Sequence, residues 1–391
     1  MPAIPQHDRL QRLWNRGQRF LGSELAVLGG AMTWVSERRL VAAISEAGGF
    51  GVLACGAMDP ARLAEEIAAT RALTTAPFGV NLIVMHPQLL ELVEVCLDQR
   101  VGHVVLAGGL PPREAMARLK AGGAKVVCFA PALAIAKKLV RSGADALVIE
   151  GMEAGGHIGP VSTAVLAQEI LPAMGEEVPV FVAGGIGHGE AIAAFLQMGA
   201  AGVQMGTVFV CAEESTAHPA FKAAFIRGAA RDAIPSVQLD PEFKVIPVRA
   251  LQNAGTRRFT ETQIEVIGRY RKGELTFEQA SLEIEHFWAG ALRRAVVEGD
   301  VENGSLMAGQ SVGMVKRIQP VAAILAELIG QAETALARRS GAAFTLIEIF
   351  VVGLLIVLLL LPFELGAVAR GRARGQRGLR TGLPVDLPGL S

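Results

Sequence analysis

Between about residues 24 and 221 the chain repeats one pattern: a short apolar run, a glycine-containing loop, then an amphipathic, alanine-rich stretch. The runs start at Leu25, Gly51, Phe78, His103, Lys125, Ala146, Val178 and Gly202. Most are apolar throughout, as parallel strands covered on both faces must be. The intervening stretches have a helical period. Over 37–47, Leu40, Ile44 and Ala47 share one face, and Glu37, Arg38 and Glu46 lie largely off it. Eight such alternations with short connections predict an α/β fold, a closed (β/α)8 TIM barrel, ahead of an open doubly wound sheet.

The pattern also divides the chain. Residues 1–23 read as a polar N-terminal extension without the apolar core of a secretory signal. Residues 24–221 are the barrel, 222–300 an added lobe of helices and loops, and 301–338 a glycine-rich return segment that ends in a helix. Residues 339–391 form a tail, first apolar and then arginine-rich. From 342 to 365 its only charges are Glu348 and Glu364, and five arginines follow between Arg370 and Arg380. The uncharged core, 349–363, is 15 residues, short for a bilayer span. A membrane contact through 342–365 is therefore left open beside a cytoplasmic location.

Charge and cysteine content narrow the chemistry. Lysine plus arginine equal aspartate plus glutamate at 37 each, so no broad basic surface for nucleic acid is expected. Cys55, Cys96, Cys128 and Cys211 are far apart and form no CxxC pair, which argues against a zinc site or a disulfide framework. No metal ligands are assigned.

In a barrel of this kind the loops after the strands carry the chemistry. After the first run, Gly29, Gly30, Ala31 and Met32 are small or flexible enough for a planar ligand to approach the backbone, although Met32 also suits a barrel plug. Asn81 ends the third run, where its amide can address a heteroaromatic edge or cap the next helix. The sixth run ends at Glu150 and leads into Gly151–Gly159, which includes Gly155, Gly156 and His157. Gly184-Gly185 and Gly206-Thr207 follow the last two runs, the usual place for a phosphate in such barrels. Any one of these glycines can also be a plain turn residue. His157 is the candidate catalytic residue, because imidazole suits proton transfer near neutral pH.

The phrases GGAMTWV, SEAGGFGVL, PFGVNLIV, GADALVIEGMEAGGHIG, VPVFVAGGIGHGEA, GAAGVQMGTVFV, ESTAHPAFK and GDVENGSLMAGQ together resemble the nitronate monooxygenase (2-nitropropane dioxygenase) family. They are similar above all to its branch containing the flavin-dependent type II enoyl-[acyl-carrier-protein] reductase. The resemblance implies FMN held by Gly30, Met32, Asn81, Glu150, Gly155, Gly156, Gly184, Gly185, Gly206 and Thr207, with Met307, Gly309 and Gln310 closing over it. His157 would be the active-site histidine. Two departures stand out: Gly29 where the family often has Gln, and Val208 where it often has Arg. The implied activity is oxidation of alkyl nitronates with O2 to carbonyl compounds and nitrite. The alternative is NAD(P)H-dependent reduction of an enoyl thioester, including one on acyl-carrier protein. A homodimer is left open. The tail around Phe344 and Glu348 separately resembles the start of type IV prepilin-like proteins, a remote alternative in which the chain serves membrane assembly.

Overall fold

The computed structural model describes residues 6–240, 242–243 and 247–339. The expected tail, with its membrane contact and prepilin-like start, lies outside them. Among the described residues no helix is long and apolar enough to cross a membrane.

In chain order the strands are β1 (Val27–Gly29), β2 (Gly51–Ala54), β3 (Phe78–Ile83), β4 (His103–Ala107), β5 (Lys125–Phe129), β6 (Ala146–Glu150), β7 (Gly156–His157), β8 (Val180–Ala183), β9 (Gly202–Met205), β10 (Ala233–Pro235) and β11 (Val248–Leu251). Every apolar run read from the sequence is a strand. Eight of them form one parallel sheet in the order β1-β9-β8-β6-β5-β4-β3-β2, and a parallel bridge from Leu28 to Phe50 joins its two ends. The barrel is thereby closed. Its wall residues, such as Val52, Leu53, Val80, Val104, Val126, Leu147 and Val182, are buried. At Gly29 a Cβ would stand 2.6 Å from Ile44 Cδ1, so glycine there lets the helix Arg38–Glu46 pack onto β1.

Residues 6–21, read from the sequence as part of an extension, form a helix across the N-terminal ends of the strands. Leu10, Trp14 and Leu21 are buried, and Gly17 approaches Ala201 so closely that a Cβ would lie 2.1 Å from its carbonyl oxygen. His103, the first residue of β4, lies edge-on to Phe20 and Phe50 with its Nε2 2.8 Å from the Phe20 carbonyl oxygen. Burial pushes its pKa down to about 4, so the imidazole in this floor is neutral at ordinary pH.

The lobe is not made only of helices and loops. The helices Ala254–Arg271 and Phe277–Arg293 pack Phe259, Val266, Ile267 and Ile284 into a small core of their own. Ahead of them β10 and β11 join β7 in a three-stranded antiparallel sheet. β10 (AIP) and β11 (VRAL) interrupt their apolar residues with proline or arginine over three or four positions, so no continuous apolar run marks them.

On the outer ring, Glu66 is fully buried yet charged. Arg38 Nε donates to its carboxylate at 2.9 Å, and Arg62 reaches the same group. Burial alone would raise its pKa, but the hydrogen bonds and charge of Arg38, helped by Arg62, hold it below the ordinary 4.5. A depressed carboxylate contributes stability above its unfolded-state pKa and loses it as pH falls through the folded value. Glu66→Gln is therefore expected to cost about 2 kcal/mol at pH 7, with a smaller deficit as the pH drops below 4.5. Urea unfolding at several pH values checks this; identical midpoints for both proteins at pH 7 would refute it.

Candidate active site

The chain around His157 is held at almost every residue. Gly151 N–H donates to the Ala183 carbonyl at 3.1 Å and Met152 N–H to that of Val161 at 2.8 Å. The Glu153 carboxylate accepts from both the backbone N–H and the hydroxyl of Thr163, each at 2.9 Å. The Glu153 carbonyl accepts from Gln310 N–H at 2.9 Å. Gly156 and His157 then enter the ladder opposite Arg249 and Val248, and Ile158 N–H donates to the Pro247 carbonyl at 2.9 Å. The sequence suggests a slack glycine loop; the structure instead gives His157 a fixed strand position with an exposed side chain.

Three close approaches gather most of the candidate residues. In the first, a Cβ on Gly155 would stand 2.5 Å from Gly309 N, and Gly309 N–H donates to Thr207 Oγ1 at 3.0 Å. In the second, Gly184 and Gly185 both have left-handed backbones, with φ of 97° and 73°. Their Cβ positions would lie 2.9 Å from Thr163 Oγ1 and from Glu153 Cβ respectively. In the third, Gly30 faces Gly206, where an added Cβ would stand 3.4 Å from the Gly206 Cα, and Met32 Sδ lies 3.3 Å from the Cβ position of Gly206. Ser36 Oγ fixes this turn by donating to the Gly30 carbonyl at 2.7 Å while accepting from Met32 N–H at 3.0 Å.

Met307 is bridged to Ala250, and its sulfur lies 3.6 Å from the Cβ position of Gly156. The return segment therefore packs directly against the His157 strand. Asn81 is 4% exposed and its Nδ2 donates to the Val105 carbonyl at 3.1 Å, so it points into the barrel wall and caps no helix. Asn81 and Glu150 join the other candidates through their positions at or near the C-terminal ends of β3 and β6. Burial pushes the Glu150 carboxyl up to about 8, although the residue keeps some accessible surface. At pH 7 this carboxyl is mostly protonated.

Sequence reasoning missed Ser36, Thr163 and Arg249, which hold the loops without belonging to a glycine phrase. The one available signal was an arginine inside the otherwise apolar PVRAL. Trp34 was quoted only as part of a motif, yet it has φ 69°, rare for a bulky residue, and the Arg293 guanidinium lies 5.9 Å from its ring centre. All four cysteines are buried, and among the described residues no cluster of three His, Cys, Asp or Glu is placed to hold a metal ion.

A profile of the nitronate monooxygenase family matches residues 17–94 and 90–331. The chain is 31% identical to a Mycobacterium tuberculosis protein named (3aS,4S,5R,7aS)-5-hydroxy-7a-methyl-1-oxo-octahydro-1H-indene-4-carboxyl-CoA dehydrogenase, over 82% of this chain and 96% of that one. It is also 31% identical to the nitronate monooxygenase of Pseudomonas aeruginosa, over 61% and 82% respectively. Among solved structures, FabK from Thermotoga maritima superimposes with a TM-score of 0.75 at 36% identity, covering 84% of this chain and 98% of its own. With its barrel closed, a family profile over most of its length and relatives named as a dehydrogenase and a monooxygenase, the chain belongs to the nitronate monooxygenase family and is an oxidoreductase.

Proposed function

We propose that this chain is an FMN-dependent oxidoreductase whose main substrate is an acyl thioester with a bulky apolar body, carried on coenzyme A or acyl-carrier protein. The observation that carries this reading is the character of the catalytic face. Met85 (70% exposed), Leu110, Ile234, Val237 (63% exposed), Leu239 and Met314 all lie in segments beyond the C-terminal ends of strands or in the lobe and return segment beside them. Large apolar side chains left in water on these segments suit a hydrocarbon-rich ligand better than a small nitro compound. The relative named for a CoA ester dehydrogenase supports the same substrate class. Nitronate oxidation, which the sequence alone set first, becomes the second reading; the family match and the Pseudomonas aeruginosa relative favour it.

The residues present fit FMN. At Gly206 a Cβ would meet Met32 Sδ at 3.3 Å and at Gly156 Met307 Sδ at 3.6 Å, with no other residue within 4 Å, so each glycine keeps bare backbone beside a methionine that would contact the flavin. Gly184-Gly185 and Gly206-Thr207 would hold the phosphate. Gly30, Met32, Asn81, Glu150, Gly155 and Gly156 would line the rest of the cofactor, and Met307, Gly309 and Gln310 would close over it. When bound, FMN supplies reversible two-electron chemistry, with NAD(P)H as reductant in the enoyl-reducing direction. The protein's own part is to handle a proton and exclude water. A carbon next to an activating carbonyl gains a proton in enoyl reduction, and the exposed His157 imidazole is the group that can deliver it. In nitronate chemistry the same imidazole binds or deprotonates the nitro compound. Glu150, neutral at pH 7, can donate a hydrogen bond into the site without adding charge.

Anaerobic mixing separates the two readings. NADH or NADPH should bleach the flavin, and an enoyl thioester should restore its colour; bleaching by propionate 3-nitronate alone would put nitronate oxidation first. His157→Ala should keep its FMN, since backbone from other loops holds most of it, and should lose roughly two to four orders of magnitude in turnover. Wild-type turnover in that variant with both substrate types would sink the mechanism. Glu150 predicts a pH effect. Its pKa of about 8 means that the carboxyl ionises as pH rises through that value, so kcat/KM should fall on the alkaline side. Glu150→Gln, neutral at every pH, should flatten that limb, and an identical limb in both proteins would remove Glu150 from the site.

A further inference from the structure

Arg249 lies on β11, is 2% exposed, and sits opposite Gly156 in the ladder. Its Nε donates to the Met152 carbonyl at 2.8 Å and its Nη1 to the Ala233 carbonyl. One guanidinium thus grips the start of the His157 segment from one side and β10 from the other. Burial pushes its pKa down, opposed by the charge of Glu153, whose carboxylate is already engaged by Thr163. Its side chain is met by backbone carbonyls, where a buried cation is ordinarily paired with a carboxylate. Such an arrangement is costly for stability alone, since an apolar residue of similar size would fill the same space. Its distinctive property is geometric: a planar fork can tie two carbonyls from distant segments in fixed directions, which a lysine cannot do.

We propose that Arg249 is the positioning residue for His157. It fixes the carbonyl of Met152 against β11, so that Gly156 and His157 enter the ladder in the one register that presents the imidazole to the substrate. The ladder pairs and the Glu153–Thr163 bonds remain without it, so its removal leaves the segment attached but less well aimed. This inference rests on the assignment of His157 as the proton-handling group.

The test uses the FMN-loaded full chain in two variants. Arg249→Lys keeps the charge and loses the fork, and Arg249→Met keeps the volume and loses both. Bound flavin, melting temperature, kcat and KM for an enoyl thioester and for a nitronate are measured in the wild-type and His157→Ala backgrounds. Both variants should retain flavin and lose kcat by about 10²-fold, with KM changed only a few-fold. Neither should slow the His157→Ala protein further, because the group they aim is already gone. Wild-type kcat in both variants, losses that multiply fully with His157→Ala, or loss of flavin or fold in both would overturn the proposal. If His157→Ala itself turns over normally, the functional reading fails and takes this inference with it. If His157→Ala is slow while both Arg249 variants are fast, this inference fails alone.

Discussion

Two residue pairs, Gly156 with Arg249 and His157 with Val248, hold the working part of this molecule together. The barrel supplies the first member of each pair and the lobe the second, so the candidate histidine belongs to neither part alone. Everything near it depends on that pairing. The return segment bridges to β11 through Met307 and Ala250, then reaches Thr207 and Glu153 through Gly309 and Gln310. The lobe is therefore a wall of the site, and what it does to β11 it does to the imidazole.

The glycines at the mouth serve two different needs. Gly155, Gly184 and Gly309 are glycine because other parts of the protein occupy the space a side chain would fill, backbone under 3 Å from the Cβ position at Gly155 and Gly309 and the Thr163 hydroxyl at Gly184. At Gly156 and Gly206 a side chain would instead meet only a methionine, Met307 or Met32. Packing of backbone on backbone brings the loops together, and the second group keeps bare backbone beside a methionine. Neither need can be separated from the other by reading the letters.

The barrel was legible because each wall strand is a continuous apolar run and each helix has an apolar face, signals that survive without tertiary context. The glycine phrases were legible for the same reason, as they break that pattern at fixed places. The support of His157 was hidden. β7 has two residues, β11 four, and their pairing joins segments on opposite sides of two barrel strands in the sequence. Arg249 shows the limit well: an arginine amid valine, alanine and leucine marks a buried charge, but which carbonyls it meets is a fact of the fold. Val208, where an arginine is often found in the family, is buried here and adds no charge to the proposed phosphate end.

The order in which these parts leave the ribosome follows from the same pairing. The hydrogen-bonded ring of the barrel is complete in sequence by Met205, whereas β11, Gly309 and Gln310 are made afterwards. All eight barrel strands can therefore be out of the ribosome while the segment bearing His157 still lacks its partner strand. A chain interrupted between the two would carry every barrel strand but no partner for the strand that bears His157.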